Sequence, residues 1–103
     1  MPTKSASKTI IRGSDWLGPA ISPGEILVEE YLKPMGLEQV EVARGLGVSL
    51  NVVNGIVRGK RGITADLALR LARFLKTSPQ LWMRLQADWD LHQALQRARR
   101  KAS

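Results

Sequence analysis

Residues 39 to 62 read QVEVARGLGVSLNVVNGIVRGKRG, and two side-chain chemistries are interleaved in them. The amides of Asn51 and Asn54 each offer a donor and an acceptor, which is what the edge of an adenine asks for in the major groove of a duplex. Leu50 can meet a thymine methyl. Arg58, Lys60 and Arg61 are cations suited to phosphate oxygens. Gln39 can bond a phosphate from the first turn of a helix, where unpaired N–H groups help. Such a set is fitted to recognising a polyanion: amides on the bases, cations on the backbone.

Those side chains need a rigid element behind them, and the apolar residues between them supply its outline. Ala43 is small, glycine follows four residues later, and Val53 and Ile56 come ten and thirteen residues after it. This is the spacing of a helix-turn-helix. A small residue lets two helices cross at close range, and Gly47 gives the positive φ of a tight turn. Val48, Val53 and Ile56 then face the core and set the angle of the next helix. The spacing predicts that this helix starts after a Ser49 cap and stops at Gly59, with Ser49, Leu50, Asn51, Asn54 and Arg58 facing outward. Gly55, on the same side, costs about 1 kcal/mol against alanine and implies that something packs closely there.

Four other helices are expected to hold this one in place. The first starts at a Ser22 cap with Pro23 in its first position, buries Ile26, Leu27, Tyr31 and Leu32, and ends at Pro34 and Gly36. Glu29 and Lys33 can pair on its solvent side. The second covers about Leu37 to Gly45, with Val40, Ala43 and Leu46 inward. The fourth runs from a Thr64 cap to about Lys76, with Leu67, Ala68, Leu71, Ala72 and Leu75 as its buried stripe. The fifth starts from a Ser78 cap and Pro79 and continues to about residue 100. It carries Trp82, Leu85, Trp89 and His92 on one stripe. Nothing reads as a strand, so the fold class is all-α. Residues 1 to 20 hold Ile10, Ile11, Trp16 and Leu17 and read as a partly mobile arm without a core of its own. Residues 21 to 100 form the domain, and 101 to 103 a frayed basic tail.

Composition narrows what the domain can do. A chain of 103 residues is enough for one modest core. It has no cysteine, hence neither a disulfide framework nor a thiolate metal site. No apolar run approaches the roughly 20 residues that a membrane helix requires, and residues 1 to 16 lack the apolar core of a secretory signal. A formal charge of +7 and a pI near 10.6 favour a polyanionic partner, although a merely solvated basic surface is the plainer alternative. His92 stands alone, and Asp88 and Asp90 fall on different faces, so neither metal binding nor catalysis is expected.

From SPGEILVEEYLKPMGLEQVEVARGL to TSPQLWMRLQADWDLHQA the chain resembles the HigA-type, or VapI-like, antitoxins of the Xre/Cro-like helix-turn-helix group. The pieces PGEIL, LKPMGL, GKRGITADLALRLARFL and TSPQLWMRLQADWDL carry the likeness. It implies a lambda-repressor-like, five-helix, cytoplasmic domain. It also implies a homodimer that binds a palindromic operator in double-stranded DNA, represses its own operon, and neutralises a RelE/HigB-like mRNA-cleaving toxin. Two alternatives stand beside that: a free-standing dimeric repressor, and an interaction module whose helix-turn-helix is scaffold. The reading helix departs from the usual pattern at Leu50, Asn51 and Val52, so no operator sequence carries over.

A two-fold dimer also has a physical basis, because two reading helices about 34 Å apart reach successive major grooves. Trp82, Leu85, Trp89 and His92 are the residues expected at its interface. The alternatives are that both tryptophans close the protomer's own core, or that Trp82 lies inside and Trp89 nearer the interface.

Overall fold

Ser22 starts the first helix through local chemistry. Its Oγ accepts from the Glu25 N–H at 3.2 Å, while its own N–H donates to the Glu25 carboxylate at 3.0 Å, a reciprocal cap with Pro23 as the first helical residue. The computed structural model describes residues 21 to 102; the expected arm, residues 1 to 20, and Ser103 at the end of the expected tail lie outside the described residues. Within them the chain forms five helices and no strand.

The first, α1, is one rod in three consecutive segments: an α turn Pro23–Ile26, a π segment Leu27–Leu32 and a closing α turn Lys33–Met35. The π segment was not foreseen, and Pro34 supplies its reason. Proline has no N–H to give, and in an α register its ring would press on the carbonyl four residues back. The Lys33 N–H instead reaches the Val28 carbonyl, five back, and the wider turn relieves that clash. It also brings Leu27 and Leu32, five apart, towards one side, and both are buried.

The remaining helices are α2 (Gln39–Leu46), α3 (Leu50–Val57), α4 (Ala65–Leu75) and α5 (Pro79–Ala102). Ser49, Thr64 and Ser78 cap the last three as expected. Their hydroxyls accept from the N–H groups of Val52 at 3.4 Å, Leu67 at 3.2 Å and Leu81 at 3.2 Å. Two boundaries differ from expectation. α2 starts at Gln39 rather than Leu37, and α5 continues through Ala102, two residues into the stretch read as frayed.

All five residues of the α4 stripe are buried, together with Leu27, Val42, Val53, Ile56 and Trp82. Each such large side chain contributes about 1.5–3 kcal/mol through burial. On α2 the inward set is Val42, Ala43 and Leu46, while Val40 stays 44% exposed. Residues three apart drift by about 60° per step around a helix, so a row at 40, 43 and 46 cannot all face one way.

Trp82 corrects the expected dimer interface. It is completely buried in the protomer's own core, its ring 5.5 Å from that of Tyr31. Its indole N–H donates to the Thr77 hydroxyl at 2.8 Å, so a large polar-tipped ring can sit inside without an unmet donor.

Candidate nucleic-acid interface

The turn between α2 and α3 determines where the reading helix points. Gly47 adopts φ 73° and ψ 35°, a left-handed conformation that glycine takes without penalty. The Ala43 carbonyl accepts from both the Gly47 N–H at 2.9 Å and the Val48 N–H at 3.0 Å, which closes the end of α2. The chain direction changes by 119° between α2 and α3. Arg70 of α4 adds a clamp from outside. Its Nη1 donates to the Leu46 carbonyl at 2.8 Å, and its Nε to the Asp66 carboxylate at 2.8 Å. A side chain thereby satisfies a helix-end carbonyl that would otherwise rely on water.

α3 is seated on its inner side by Val53 and Ile56, both essentially fully buried. Gly24 brings α1 hard against its end: a Cβ there would overlap the Ile56 carbonyl. The outer side remains open. Leu50 is 48% exposed, Ser49, Asn51 and Arg58 are exposed, and Asn54 is half-buried. Gln39 lies beside Asn54 rather than apart from it, and the Asn54 Nδ2 donates to the Gln39 Oε1 at 3.2 Å. Each amide so fixes the other's orientation, leaving the Gln39 NH₂ and the Asn54 Oδ1 to face a ligand.

The cationic loop is tied to the same helix. The Gly55 carbonyl accepts from the Lys60 N–H at 2.8 Å and the Arg61 N–H at 3.1 Å. The close neighbour that Gly55 implied is the chain's own: a Cβ at that position would sit 3.2 Å from the Arg61 Cβ. Arg61 therefore lays its stem across Gly55, and both it and Lys60 are exposed. The far end of the loop is held by α5, where the Gln86 Oε1 accepts from the Ile63 N–H at 2.7 Å. The Gln86 Nε2 in turn donates to Asp90 at 2.8 Å.

All eight residues expected to meet a duplex thus lie on α3, on the start of α2 or in the loop that follows α3, and none is buried. Reading the sequence missed the two residues that aim them, Arg70 and Gln86. The Asp66–Arg70 spacing was a visible signal for the first; nothing in the sequence marked Gln86.

The expected pairing stripe on α5 divides. Trp82 is internal, and His92 is largely covered, at 9% exposure. The His92 ring stacks at 6.1 Å on Trp89 and lies 3.1 Å from the Gln96 amide nitrogen. Leu85 and Trp89 are half-buried and keep a face to solvent. Among the described residues no group of His, Cys, Asp or Glu is placed to hold a metal ion. Nor is any single helix among them long and apolar enough to cross a membrane.

A short helix held outward by a glycine turn, clamped from behind and followed by a cationic loop, defines a helix-turn-helix domain. Residues 28–82 match the helix-turn-helix family HTH_3. Over 78 residues the chain is 55% identical to virulence-associated protein I of Dichelobacter nodosus, covering 76% of this chain and 72% of that one. It is 37% identical over 71 residues to antitoxin HigA-1 of Vibrio cholerae, covering 69% and 67%. Its structure is similar to that of the Pseudomonas aeruginosa antitoxin HigA solved with the higBA promoter. The TM-score is 0.77 at 42% identity, over 82% of this chain and 92% of that one. The chain belongs to the helix-turn-helix family, in the group of HigA-type antitoxins and VapI-like proteins. That is a family of transcription regulators, not of enzymes.

Proposed function

We propose that this chain binds a palindromic operator as a homodimer, each protomer laying α3 in a major groove of double-stranded DNA. Asn51, Asn54 and Leu50 meet base edges, and Ser49 and Arg58 flank them. Gln39, Lys60 and Arg61 hold phosphates on either side. The observation that carries this reading is the joint placement of the Gln39–Asn54 amide pair, the open face of α3 and the tethered Lys60–Arg61 loop on one surface. A HigA relative solved with its promoter supports it. The role is autorepression, in the cytoplasm where the operator is. Leu85 and Trp89, the stripe residues that keep solvent exposure, serve the two-fold contact.

The same reading makes the chain an antitoxin that neutralises a RelE/HigB-like mRNA-cleaving toxin, with support from its family and from the names of its relatives. Mobility-shift titrations with the DNA upstream of the gene test the first half. A specific shift that survives competitor DNA is expected, and no shift even at low salt would rule it out. Co-expression with the neighbouring reading frame tests the second. Growth arrest by that frame alone, relieved by this chain, is expected. A harmless neighbour leaves a repressor without a toxin.

A further inference from the structure

Asp90 is out of place on a surface that meets a polyanion. It is exposed on α5 and borders the same cleft as Lys60 and Arg61, the cations assigned to phosphates. A carboxylate so placed adds a repulsion that salt screens fully only beyond about 10 Å. Its bonding supplies the reason for it. The Asp90 carboxylate accepts from the Gln86 Nε2 at 2.8 Å, one turn back along the helix. That bond sets which way the Gln86 amide faces. Turned over, the amide would point its oxygen at the carboxylate and its NH₂ at another donor. In the observed sense the Gln86 Oε1 accepts from the Ile63 N–H at 2.7 Å.

Ile63 ends the loop that carries the two cations. Its side chain is buried, and the backbone before it lies against the Gln86 amide: a Cβ on Gly62 would sit 3.3 Å from the Nε2 and 3.5 Å from the Oε1. At the other end of the loop the Gly55 carbonyl holds the Lys60 and Arg61 N–H groups. The two cations are thus slung between two anchors, and the second depends on the Gln86 amide facing the loop with its oxygen. A loop ordered in advance loses less conformational entropy on binding. We infer that Asp90 is a positioning residue for the phosphate contacts: through the Gln86 amide it holds the loop so that Lys60 and Arg61 are already set for the DNA backbone. This rests on the operator-binding reading and adds to it a residue that acts through another and whose own charge opposes the ligand.

The test uses the full chain and variants that part charge from geometry. Asp90→Ala removes both the charge and the acceptor. Asp90→Asn removes the charge and keeps an acceptor for the Gln86 amide. Gln86→Glu sets two carboxylates against each other, and Gln86→Glu combined with Asp90→Asn exchanges the two groups at unchanged total charge. Asp88→Ala, at an exposed acid on the same helix, is the charge control. Upstream and random duplexes are titrated at several salt concentrations, and exchange of the Ile63 amide hydrogen is followed by NMR in the free protein. Asp90→Ala is expected to weaken binding to both duplexes about three- to tenfold per protomer, the cost of ordering a loop no longer held. Its base preference stays the same, and Ile63 exchanges faster. Asp90→Asn and Asp88→Ala bind at least as tightly as the unaltered chain, because each removes a negative charge. Gln86→Glu loses affinity as Asp90→Ala does, and the exchanged pair recovers it. Tighter binding by Asp90→Ala, or equal binding by it and Asp90→Asn, overturns the assignment and leaves Asp90 a charge alone. A lower Tm with unchanged affinity overturns it too, since the Asp90–Gln86 bond would then serve only the fold. So does an exchanged pair that binds no better than Gln86→Glu. If the unaltered chain shifts no duplex even at low salt, the operator reading fails and the assignment with it.

Discussion

At the scale of single residues, the useful distinction is between side chains that touch a ligand and those that determine how others touch it. Gln39 belongs to both groups. Its Oε1 receives the Asn54 amide at 3.2 Å, so removing it frees Asn54 to rotate as well as removing a phosphate donor. Gln39→Ala should therefore change base preference at the Asn54 position, although in the proposed complex Gln39 itself meets only phosphate. In a double-mutant cycle with Asn54→Ala, the two losses should fall short of additivity by about 0.5 kcal/mol or more, as for groups in one network. Strict additivity across an operator library would mean that the amides act separately. Arg61 offers the opposite pattern. Its exposed guanidinium meets only phosphate in this reading, so Arg61→Ala should weaken all sequences alike and flatten the salt slope by about one unit. A change in sequence preference there would mean that Arg61 reaches a base. The residue types were legible from sequence, because Asn51, Asn54 and Arg58 fall on one face at helical spacing. The Gln39–Asn54 bond was not, since it depends on the angle at which α2 meets α3.

At the scale of elements, what matters is how firmly the α2–α3 unit is held. Three attachments reach it from outside: Gly24 of α1 under the Ile56 carbonyl, Arg70 of α4 on the Leu46 carbonyl, and Gln86 of α5 on the Ile63 N–H. Arg70→Ala removes a charged donor from a helix-end carbonyl at a partly exposed position. That should cost about 1 kcal/mol and lower Tm by about 4–8 °C in thermal unfolding, for a domain of this size. Arg70→Lys should recover only part of the loss, because one ammonium cannot span both Asp66 and Leu46 as the guanidinium fork does. Unchanged Tm in Arg70→Ala would show that water replaces the clamp at no cost. The caps at Ser22, Ser49, Thr64 and Ser78 were legible because capping is local chemistry, and so was the α4 stripe. The π segment in α1 and the exposure of Val40 were not. The first depends on how the chain relieves Pro34, and the second on which of the rotated positions 40, 43 and 46 the neighbouring helices cover.

At the scale of the whole molecule, the tryptophans on α5 separate folding from assembly. Spacing alone put Trp82 and Trp89 on one stripe, since helical periodicity marks an apolar face without saying which part the protomer itself covers. The structure divides them, with Trp82 at 0% exposure in the core and Trp89 half-buried against His92. Trp82→Ala should thus be a folding mutation, destabilising the protomer by about 3–5 kcal/mol through the cavity and the orphaned Thr77 hydroxyl. Trp89→Ala should leave the helix signal and cooperative unfolding in place but shift the mass in analytical ultracentrifugation from dimer to monomer at micromolar concentration. Operator affinity should then fall steeply while binding to random DNA, which one protomer manages alone, changes little. The contrast follows from geometry: two reading helices must stand about 34 Å apart to meet successive grooves, and only a fixed pairing of protomers maintains that distance. If Trp89→Ala remains dimeric and binds the operator undiminished, the two-fold axis runs through another face, and α5 serves the fold and not the pairing.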